Sequence, residues 1–288
     1  ITLVQPNIEQ KDKWNLEKRN ANLNKLTQFS LQNVNEYVGV NRIIIWPETS
    51  FEGTIPNEME LLSVISKQIL TDQKAILVVG LLRVDKNKLF NSLVFLNSKG
   101  NIIHQYDKIH LVPFGEYIPL RNKFTTIANF LSLKDFSSGN IKPNFTLKGL
   151  GNILTLICYE ILFTEEVISR LSKNTNLLIN ITNDAWFGKT IGPYQHLALA
   201  KIKAVELGIP LARVANTGIS ALISPYGEEI TKIPLYESGV RTAKLSLPLK
   251  NTIYRKYGEI IFIVSILFLI FINKMYDYNY RRDLKNEK

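Results

Sequence analysis

The spacing of hydrophobic positions changes repeatedly along the first 250 residues of this chain. Short runs rich in Ile, Val and Leu read as strands: Ile1–Val4, Arg42–Trp46, Ala75–Leu82, Ser92–Leu96, Asn152–Cys158, Asn176–Ile181 and Leu211–Ala215. Several are apolar at successive positions, so both of their faces need cover, as in a sheet with a layer on each side. Between them the spacing becomes helical. Leu197, Ala200, Ala204 and Leu207 fall three, four and three residues apart, and Gly208 and Pro210 end that helix. Asn15–Phe29 and Asn57–Leu70 read the same way. Alternation of the two patterns predicts α/β layering. There is no internal repeat.

The end of the chain departs from this alternation. Ile260–Ile272 is apolar except for Ser265, bounded by Gly258 and Glu259 before it and Asn273 after. That run is shorter than the roughly 20 residues of an ordinary membrane span. Its flanks favour a span nonetheless: Tyr254 and Tyr257 lie on one side and Tyr276, Tyr278 and Tyr280 on the other, as aromatic belts at two interfaces, and Lys274 can snorkel. The competing reading is a buried core helix. Lys274, Arg281, Arg282, Lys285 and Lys288 follow the segment, whereas Lys250, Arg255 and Lys256 precede it, so a spanning helix would leave its C-terminus cytoplasmic and the large domain outside. The expected organisation is a domain over 1–250, a linker over 251–257, a transmembrane helix over 258–274 and a basic tail over 275–288. The chain opens on Ile1 inside a strand-like run, which points to a fragment or a processed product.

Composition narrows the chemistry. With 288 residues, 45% apolar and 21% charged, the chain has the make-up of a folded protein with a substantial core. A single cysteine, Cys158, excludes an internal disulfide and any multi-cysteine metal site. The three histidines, His104, His110 and His196, form no HExxH pattern, so no metal or other cofactor is expected. The net charge of +10 is diffuse: from Asn251 onward seven Lys/Arg stand against four Asp/Glu, a share of +3. No run of five like charges and no nucleic-acid motif occurs, so nucleic acid is not an expected partner.

Three strand ends carry candidate chemistry. Cys158 closes the run Asn152–Ile157 just before a helix opening near Thr164, where a thiol is displayed rather than buried; the ordinary alternative is a small core hydrophobe. Arg42–Trp46 runs through Pro47 into Glu48, a carboxylate whose burial at a strand exit makes it a usable base. Lys108 follows the strand Ser92–Leu96 and precedes the turn Pro113–Glu116. Taken singly, a surface ion pair explains either charged residue. Strand ends in an α/β sheet can converge on one edge. There Glu48 would take the thiol proton, Cys158 would attack an acyl carbon, and Lys108 would face the oxyanion.

The segments WPE (Trp46–Glu48), DKIHLVPFGEYIP (Asp107–Pro119), ICYE (Ile157–Glu160) and NDAWFG (Asn183–Gly188) resemble the nitrilase superfamily. LVPFGEYIP, ICYE, GPYQH (Gly192–His196) and a terminal membrane segment narrow the resemblance to its membrane branch, the apolipoprotein N-acyltransferases, over residues 1–275. It implies a nitrilase-like αββα sandwich followed by a C-terminal transmembrane helix, and a Glu48–Lys108–Cys158 triad oriented by Glu116. It also implies substrate-binding positions at Trp14, Tyr159 and Glu160; Trp14 reads equally as a core aromatic at a helix start. Asn91 and Arg213 lie in similar segments without an implied role. The implied reaction moves a fatty acyl chain from a phospholipid donor, through a cysteine thioester, to the α-amine of a diacylglyceryl-cysteine lipoprotein, in the bacterial inner membrane. In one respect the sequence departs from the resemblance: that branch carries several membrane helices before its catalytic domain, whereas the sequence in hand opens at that domain, as a cut chain or a single-anchor variant would.

The long loop between Pro113 and Gly139 carries Tyr117, Ile118, Phe124, Ile127, Phe130, Leu131, Leu133 and Phe136 among Arg121, Lys123 and Lys134. Such a loop reads as a mobile lid accepting acyl chains and lipid headgroups, or as a satellite hydrophobic cluster. Two rival functions remain: a membrane-anchored amidase using the same triad with water as acceptor, and a non-catalytic lipoprotein-binding protein.

Overall fold

The computed structural model describes residues 1–32, 34–119, 135–140, 144–249 and 251–286. The first half of the chain supplies β1 (Thr2–Gln5), β2 (Arg42–Ile45), β3 (Thr54–Ile55), β4 (Ala75–Asp85), β5 (Lys88–Leu96) and β6 (Ile102–Asp107). The second half supplies β7 (Asn144–Leu147), β8 (Gly151–Ile157), β9 (Thr175–Thr182), β10 (Leu211–Ala215), β11 (Ser220–Ile223), β12 (Glu229–Ile233) and β13 (Gly239–Thr242). Two sheets result, ordered β13-β1-β2-β4-β5-β6, with β3 also on β4, and β12-β11-β10-β9-β8-β7. The centre of each is parallel, β1-β2-β4 in the first and β8-β9-β10 in the second.

Side-chain alternation explains why these strands need two layers of cover. Leu3, Ile43, Ile45, Ile76 and Val78 of the first sheet meet Ile157, Leu177, Ile179 and Ile181 of the second in one core between the sheets. Their sequence neighbours Val4, Ile44, Trp46, Leu77 and Val79 point the other way. That outer face is closed by the helices α1 (Leu16–Leu31) and α2 (Met59–Ile69), through Leu23, Leu26, Leu62, Ile65 and Ile69. On the second sheet, α3 (Thr164–Arg170) and α4 (Gly192–Leu207) cover Leu154, Leu156 and Leu178 with Val167, Leu197, Ala200, Ala204 and Leu207. The order of layers is helix, sheet, sheet, helix, the αββα sandwich.

Local signals set the helix ends. The Asn15 side chain accepts from the Glu17 N–H at 3.0 Å and caps α1. Gly208, at φ 64°, closes α4 in the left-handed conformation. Several boundaries differ from expectation. β5 begins at Lys88 rather than Ser92, because it pairs antiparallel with β4 down to Asp85↔Lys88. β6 lies between β5 and Lys108, so Lys108 leaves β6 and not the strand Ser92–Leu96. Cys158 lies outside β8, opening the 3-10 turn Cys158–Leu162.

Beyond the sandwich, α5 (Ile253–Tyr257) stops at Gly258, φ 53°, and α6 runs Ile260–Asn286. It does not end at Asn273 because no Gly or Pro interrupts the chain there. Its stretch Ile260–Asn279 is long and apolar enough to cross a membrane, and none of it is buried against the domain. At 1.5 Å per residue, 20 residues match a hydrocarbon core of about 30 Å. The Ser265 hydroxyl donates to the Ile261 carbonyl at 2.8 Å, so this polar group is satisfied within the helix.

Candidate active site

Three chain segments leaving β2, β6 and β8 bring Glu48, Lys108 and Cys158 together. Glu48 lies just past β2, where its main chain crosses Gly80 of β4; a Cβ there would sit 2.3 Å from the Pro47 carbonyl oxygen and 2.7 Å from the Glu48 Cα. Lys108 is held by its own main chain, the N–H donating to the Asn91 carbonyl at 2.8 Å and the carbonyl accepting from Gly139 at 2.8 Å. Cys158 has φ 54°, a left-handed backbone that a non-glycine residue adopts at a cost and that turns its side chain out of the line of β8. Cys158 as a whole residue is half-buried.

The charged groups interlock. Lys108 Nζ contacts both oxygens of Glu116, at 2.9 and 2.8 Å, and lies 3.8 Å from Glu48 Oε1. Asn91 Nδ2 donates to Glu48 Oε1 at 2.7 Å and to Glu116 Oε1 at 2.9 Å, bridging the two carboxylates. Glu116 Oε2 also accepts the Val112 N–H at 2.8 Å. Glu48 Oε2 is buried without a hydrogen-bond partner among the described residues, which leaves one carboxylate oxygen ready for a proton.

The electrostatics follow from burial. Glu48, 6% exposed, has its carboxyl pushed above the ordinary range by desolvation, with Lys108 opposing that push. Burial alone would lower the Lys108 ammonium, but the charges of Glu48, Cys158 and Glu116 outweigh it and hold the group above an ordinary lysine. The Cys158 thiol is pushed up to about 12, first by burial and then by the Glu48 charge, against the pull of Lys108 and a hydrogen bond from Thr182. Glu48 and Cys158 therefore compete for one proton beside a fixed cation. The arrangement suits nucleophilic attack by sulfur on a carbonyl carbon, with a positive charge facing the oxygen where negative charge develops.

The remaining expected positions fall in different places. Glu160 does not open onto the site as a substrate-binding group. It is 1% exposed, and its Oε1 accepts from Tyr106 at 2.6 Å, Ile109 N at 3.0 Å, His110 N at 3.1 Å and Arg170 at 3.1 Å, while Oε2 accepts from Ile157 N at 2.8 Å. With its acceptor capacity filled, Glu160 ties the strand of Cys158 to the segment after Lys108. Tyr159 is half-buried, its ring edge-on to Phe163 at 4.9 Å and to His110 at 6.0 Å. Trp14 is 45% exposed at φ 74°, outside the core. Residues 120–134, which carry most of the apolar and cationic positions of the expected lid, lie outside the described residues.

Sequence reasoning missed Lys13, which is 6% exposed and donates to the main-chain carbonyl of Glu48 at 3.1 Å. Nothing in its spacing marks it, apart from its place before Trp14. It also left Asn91 and Arg213 without a place. Arg213 lies behind Cys158: Asp184 accepts from Arg213 Nη2 at 2.7 Å and contacts His196 Nδ1 at 2.9 Å, Arg213 Nη1 donates to Asn180 at 2.9 Å, and Asn180 Nδ2 donates to the Cys158 carbonyl at 3.0 Å.

Comparison with known proteins agrees with this fold. The family described as carbon-nitrogen hydrolase matches residues 1–253. Curated relatives include the apolipoprotein N-acyltransferase of Rhizobium etli (strain CIAT 652), 39% identical over 83% of this chain and 46% of the relative. The apolipoprotein N-acyltransferase of Rickettsia prowazekii (strain Madrid E) is 34% identical over 95% of this chain and 55% of the relative. The chain thus spans about half the length of the curated relatives it matches. Among solved structures, Nit3 of Saccharomyces cerevisiae, a member of branch 10 of the nitrilase superfamily, has a TM-score of 0.62 at 18% identity, covering 83% of this chain and 86% of that one. An amidase from Nesterenkonia sp. has a TM-score of 0.59 at 19% identity, covering 83% and 87%. At these identities the two structures speak for the fold alone.

Proposed function

Since the chain belongs to the carbon-nitrogen hydrolase family, we propose that it is the catalytic part of an apolipoprotein N-acyltransferase, with Cys158 as nucleophile, Glu48 as general base and Lys108 as oxyanion partner. One observation carries the reading: the three groups meet in a chain that also bears a membrane-length helix, Ile260–Asn279. The names of the curated relatives support the same choice.

In the first half-reaction the Cys158 proton passes to Glu48 while sulfur attacks the ester carbonyl of a phospholipid acyl chain. The tetrahedral oxyanion faces the Lys108 ammonium. Collapse breaks the ester C–O bond, the leaving alkoxide takes the proton from Glu48, and a lysophospholipid departs from a Cys158 thioester. In the second half-reaction the neutral α-amine of a diacylglyceryl-cysteine lipoprotein attacks the thioester carbon, and Glu48 takes a proton from nitrogen. Collapse breaks the C–S bond, and that proton returns to sulfur. An amide and a free thiol result, so Glu48 ends each cycle as it began. Glu116 and Asn91 hold the base and the cation in register, and Tyr159 borders the turn that displays the sulfur. The helix anchors the domain at the bacterial inner membrane, with the domain on the outer side, where donor lipid and lipoprotein acceptor lie.

The test is mass spectrometry of the chain after exposure to phospholipid, followed by addition of a diacylated lipopeptide. We expect a fatty-acyl mass on the Cys158 peptide that disappears as triacylated lipopeptide forms. Cys158→Ala abolishes the adduct, and Glu48→Gln slows its formation by at least the roughly hundredfold of a lost general base. An adduct retained in Cys158→Ala excludes the nucleophile. Turnover of small amides without acylation of the lipopeptide reverses the choice in favour of an amidase.

A further inference from the structure

Lys108 balances one carboxylate, and the site contains two. Its ammonium lies 2.9 and 2.8 Å from the oxygens of Glu116 but 3.8 Å from Glu48. The close pair is therefore Lys108–Glu116, and Glu48 sits at the longer distance with only Asn91 hydrogen-bonded to its side chain among the described residues. Lys108 is still the largest positive charge acting on Glu48, but a buried carboxylate that shares its nearest cation with a second carboxylate is held ionised less firmly than one with a cation to itself. A second positive charge nearby adds to that hold.

The loop before α1 delivers a second charge. Asp12 and Lys13 turn back on Glu9 through main-chain bonds of 2.9 and 3.1 Å, and the Asn183 side chain donates to Gln10 at 3.0 Å, tying the loop to the second sheet. Trp14 then adopts φ 74°, a conformation that a bulky residue keeps only where its surroundings impose it. The result is a lysine carried into the interior, its ammonium on the Glu48 carbonyl at 3.1 Å. Burial of a lysine is costly without a compensating negative charge. The groups whose charges act on Lys13 are Glu48, Glu52 and Cys158, and Lys13 in turn favours the ionised form of Glu48.

We propose that Lys13 is a positioning residue for the acyl-transfer site, fixing the peptide that carries Glu48 through its main-chain carbonyl and serving as a second counter-charge of Glu48 beside Lys108. This rests on the reading of Glu48 as the base. The charged groups facing Glu48 are Lys13 from the loop before α1, Lys108 after β6 and Glu116 from the following turn, with the Cys158 thiol opposite; Glu52 faces Lys13, and Asp184 faces Cys158. Removing Lys13 leaves two carboxylates sharing one ammonium. Glu48 then keeps its proton to higher pH and accepts the Cys158 proton less readily. Burial holds the Lys13 ammonium down at about 8, so it is still charged at neutral pH.

The test uses iodoacetamide alkylation of Cys158 in the full chain, followed by mass spectrometry from pH 4 to 8, because a small neutral reagent reports thiol activation without any lipid substrate. We expect the acid limb of the alkylation rate to move up by roughly one pH unit in Lys13→Met and Lys13→Gln. Lys13→Arg, which keeps the charge, should restore the native limb. Circular dichroism checks that each variant is folded. A folded neutral variant with its limb at the native position overturns the proposal, as does Lys13→Arg displaced as far as Lys13→Met. If neither neutral variant folds, the reciprocal measurement decides. In ¹³C-lysine-labelled chain the Lys13 signal, assigned with Lys13→Arg, should titrate at lower pH in Glu48→Gln than in the native protein; an unmoved midpoint overturns the proposal. Glu48→Gln also separates this idea from the one beneath it. Should that variant keep the native acid limb, the assignment of the base itself fails, whatever Lys13 does.

Discussion

Gly80→Ala adds one methyl group to a strand residue, and its consequences can be worked out in advance. The added Cβ would lie 2.3 Å from the Pro47 oxygen, 2.7 Å from the Glu48 Cα and 2.8 Å from Ile181 Cδ1. Ile181 can give way by turning a side-chain end, but the other two atoms are main chain. Restoring ordinary contact at 3.4 Å requires the Pro47–Glu48 segment to retreat by about 1 Å. That retreat is opposed by the bonds fastening the segment to β4: Trp46 N–H to Val78 O at 2.8 Å and Phe51 N–H to Gly80 O at 3.1 Å. The strand backbone itself accepts alanine without strain, so the cost is one of space, about 1–3 kcal/mol of stability. Catalysis should suffer more, because Glu48 must meet the thiol and Asn91 at fixed distances. A displacement of about 1 Å at a reacting group costs on the order of a hundredfold in rate. Thermal melting reads the first effect, and rapid-quench measurement of Cys158 acylation or alkylation reads the second. Gly239→Ala, with nothing within 4 Å of its Cβ, is the control. A folded Gly80→Ala chain that acylates at the native rate would refute the claim that the position of Glu48 is set by contact with β4.

Other perturbations separate positioning from chemistry. Asp184→Asn leaves the Arg213 guanidinium buried without its counter-charge and should destabilise the fold by about 3–5 kcal/mol in a denaturant titration; a loss below about 1 kcal/mol would contradict the pairing. The acid limb of stability carries the same information. Burial alone would raise the Asp184 carboxyl, but Arg213 and His196 outweigh it and hold it down at about 2. Its contribution is complete above the ordinary aspartate value and is lost as pH falls through about 4 toward 2. Circular dichroism should show a slope there that Asp184→Asn lacks. Glu160→Gln turns an amide toward donors that need a carboxylate, costing about 1–3 kcal/mol for each donor left unpaired and slowing Cys158 alkylation; unchanged melting and alkylation would remove Glu160 from its bracing role. Ending the chain after Tyr257 should free the domain from its need for detergent, as judged by size-exclusion chromatography, and continued aggregation without detergent would locate membrane affinity elsewhere.

The parts of this fold that were legible in the sequence are those where periodicity is strong. Arg42–Trp46, Ala75–Leu82 and Leu211–Ala215 are apolar on both faces, and the structure covers both faces of each, with the other sheet on one side and helices on the other. Gly208 ended α4 where expected, because only its left-handed φ closes that helix. The strands that escaped notice are mostly edge or hairpin strands. β7, β12 and β13 have one wet face and mixed composition, so their pairing rather than their own sequence makes them strands. Convergence of Glu48, Lys108 and Cys158 was an expectation that spacing could not secure, since it depends on which strands become neighbours across two sheets. Lys13 and Glu160 were beyond reach for a related reason. A buried lysine and a solvated one look alike in sequence, and whether a glutamate binds substrate or braces a turn is decided by donors from Tyr106, Ile109 and Arg170 that arrive from elsewhere in the chain.

In the proposed reaction the same buried charges let a thiol pushed up to about 12 act as the nucleophile. That value describes release of the proton to bulk water, which would leave a new negative charge beside Glu48 in a desolvated site. The reaction does not need that step. Passing the proton from Cys158 to Glu48 turns a thiol and a carboxylate into a thiolate and a carboxylic acid, so the total charge of the site is constant. Burial raises both groups, so it acts on the two in the same direction. What assists the transfer is that the cations stay beside both groups. Lys108 favours charge on Glu48 and on sulfur alike, Lys13 lies near both, and the Asn91 hydrogen bond favours charge on Glu48. An ionised base and a protonated thiol can therefore exchange the proton without importing charge as substrate excludes water. The oxyanion that follows also meets an ammonium already in place. A single exposed cation would not suffice, because it would be screened by solvent and free to leave its carboxylate; burying two lysines beside two glutamates keeps the compensation fixed throughout the cycle.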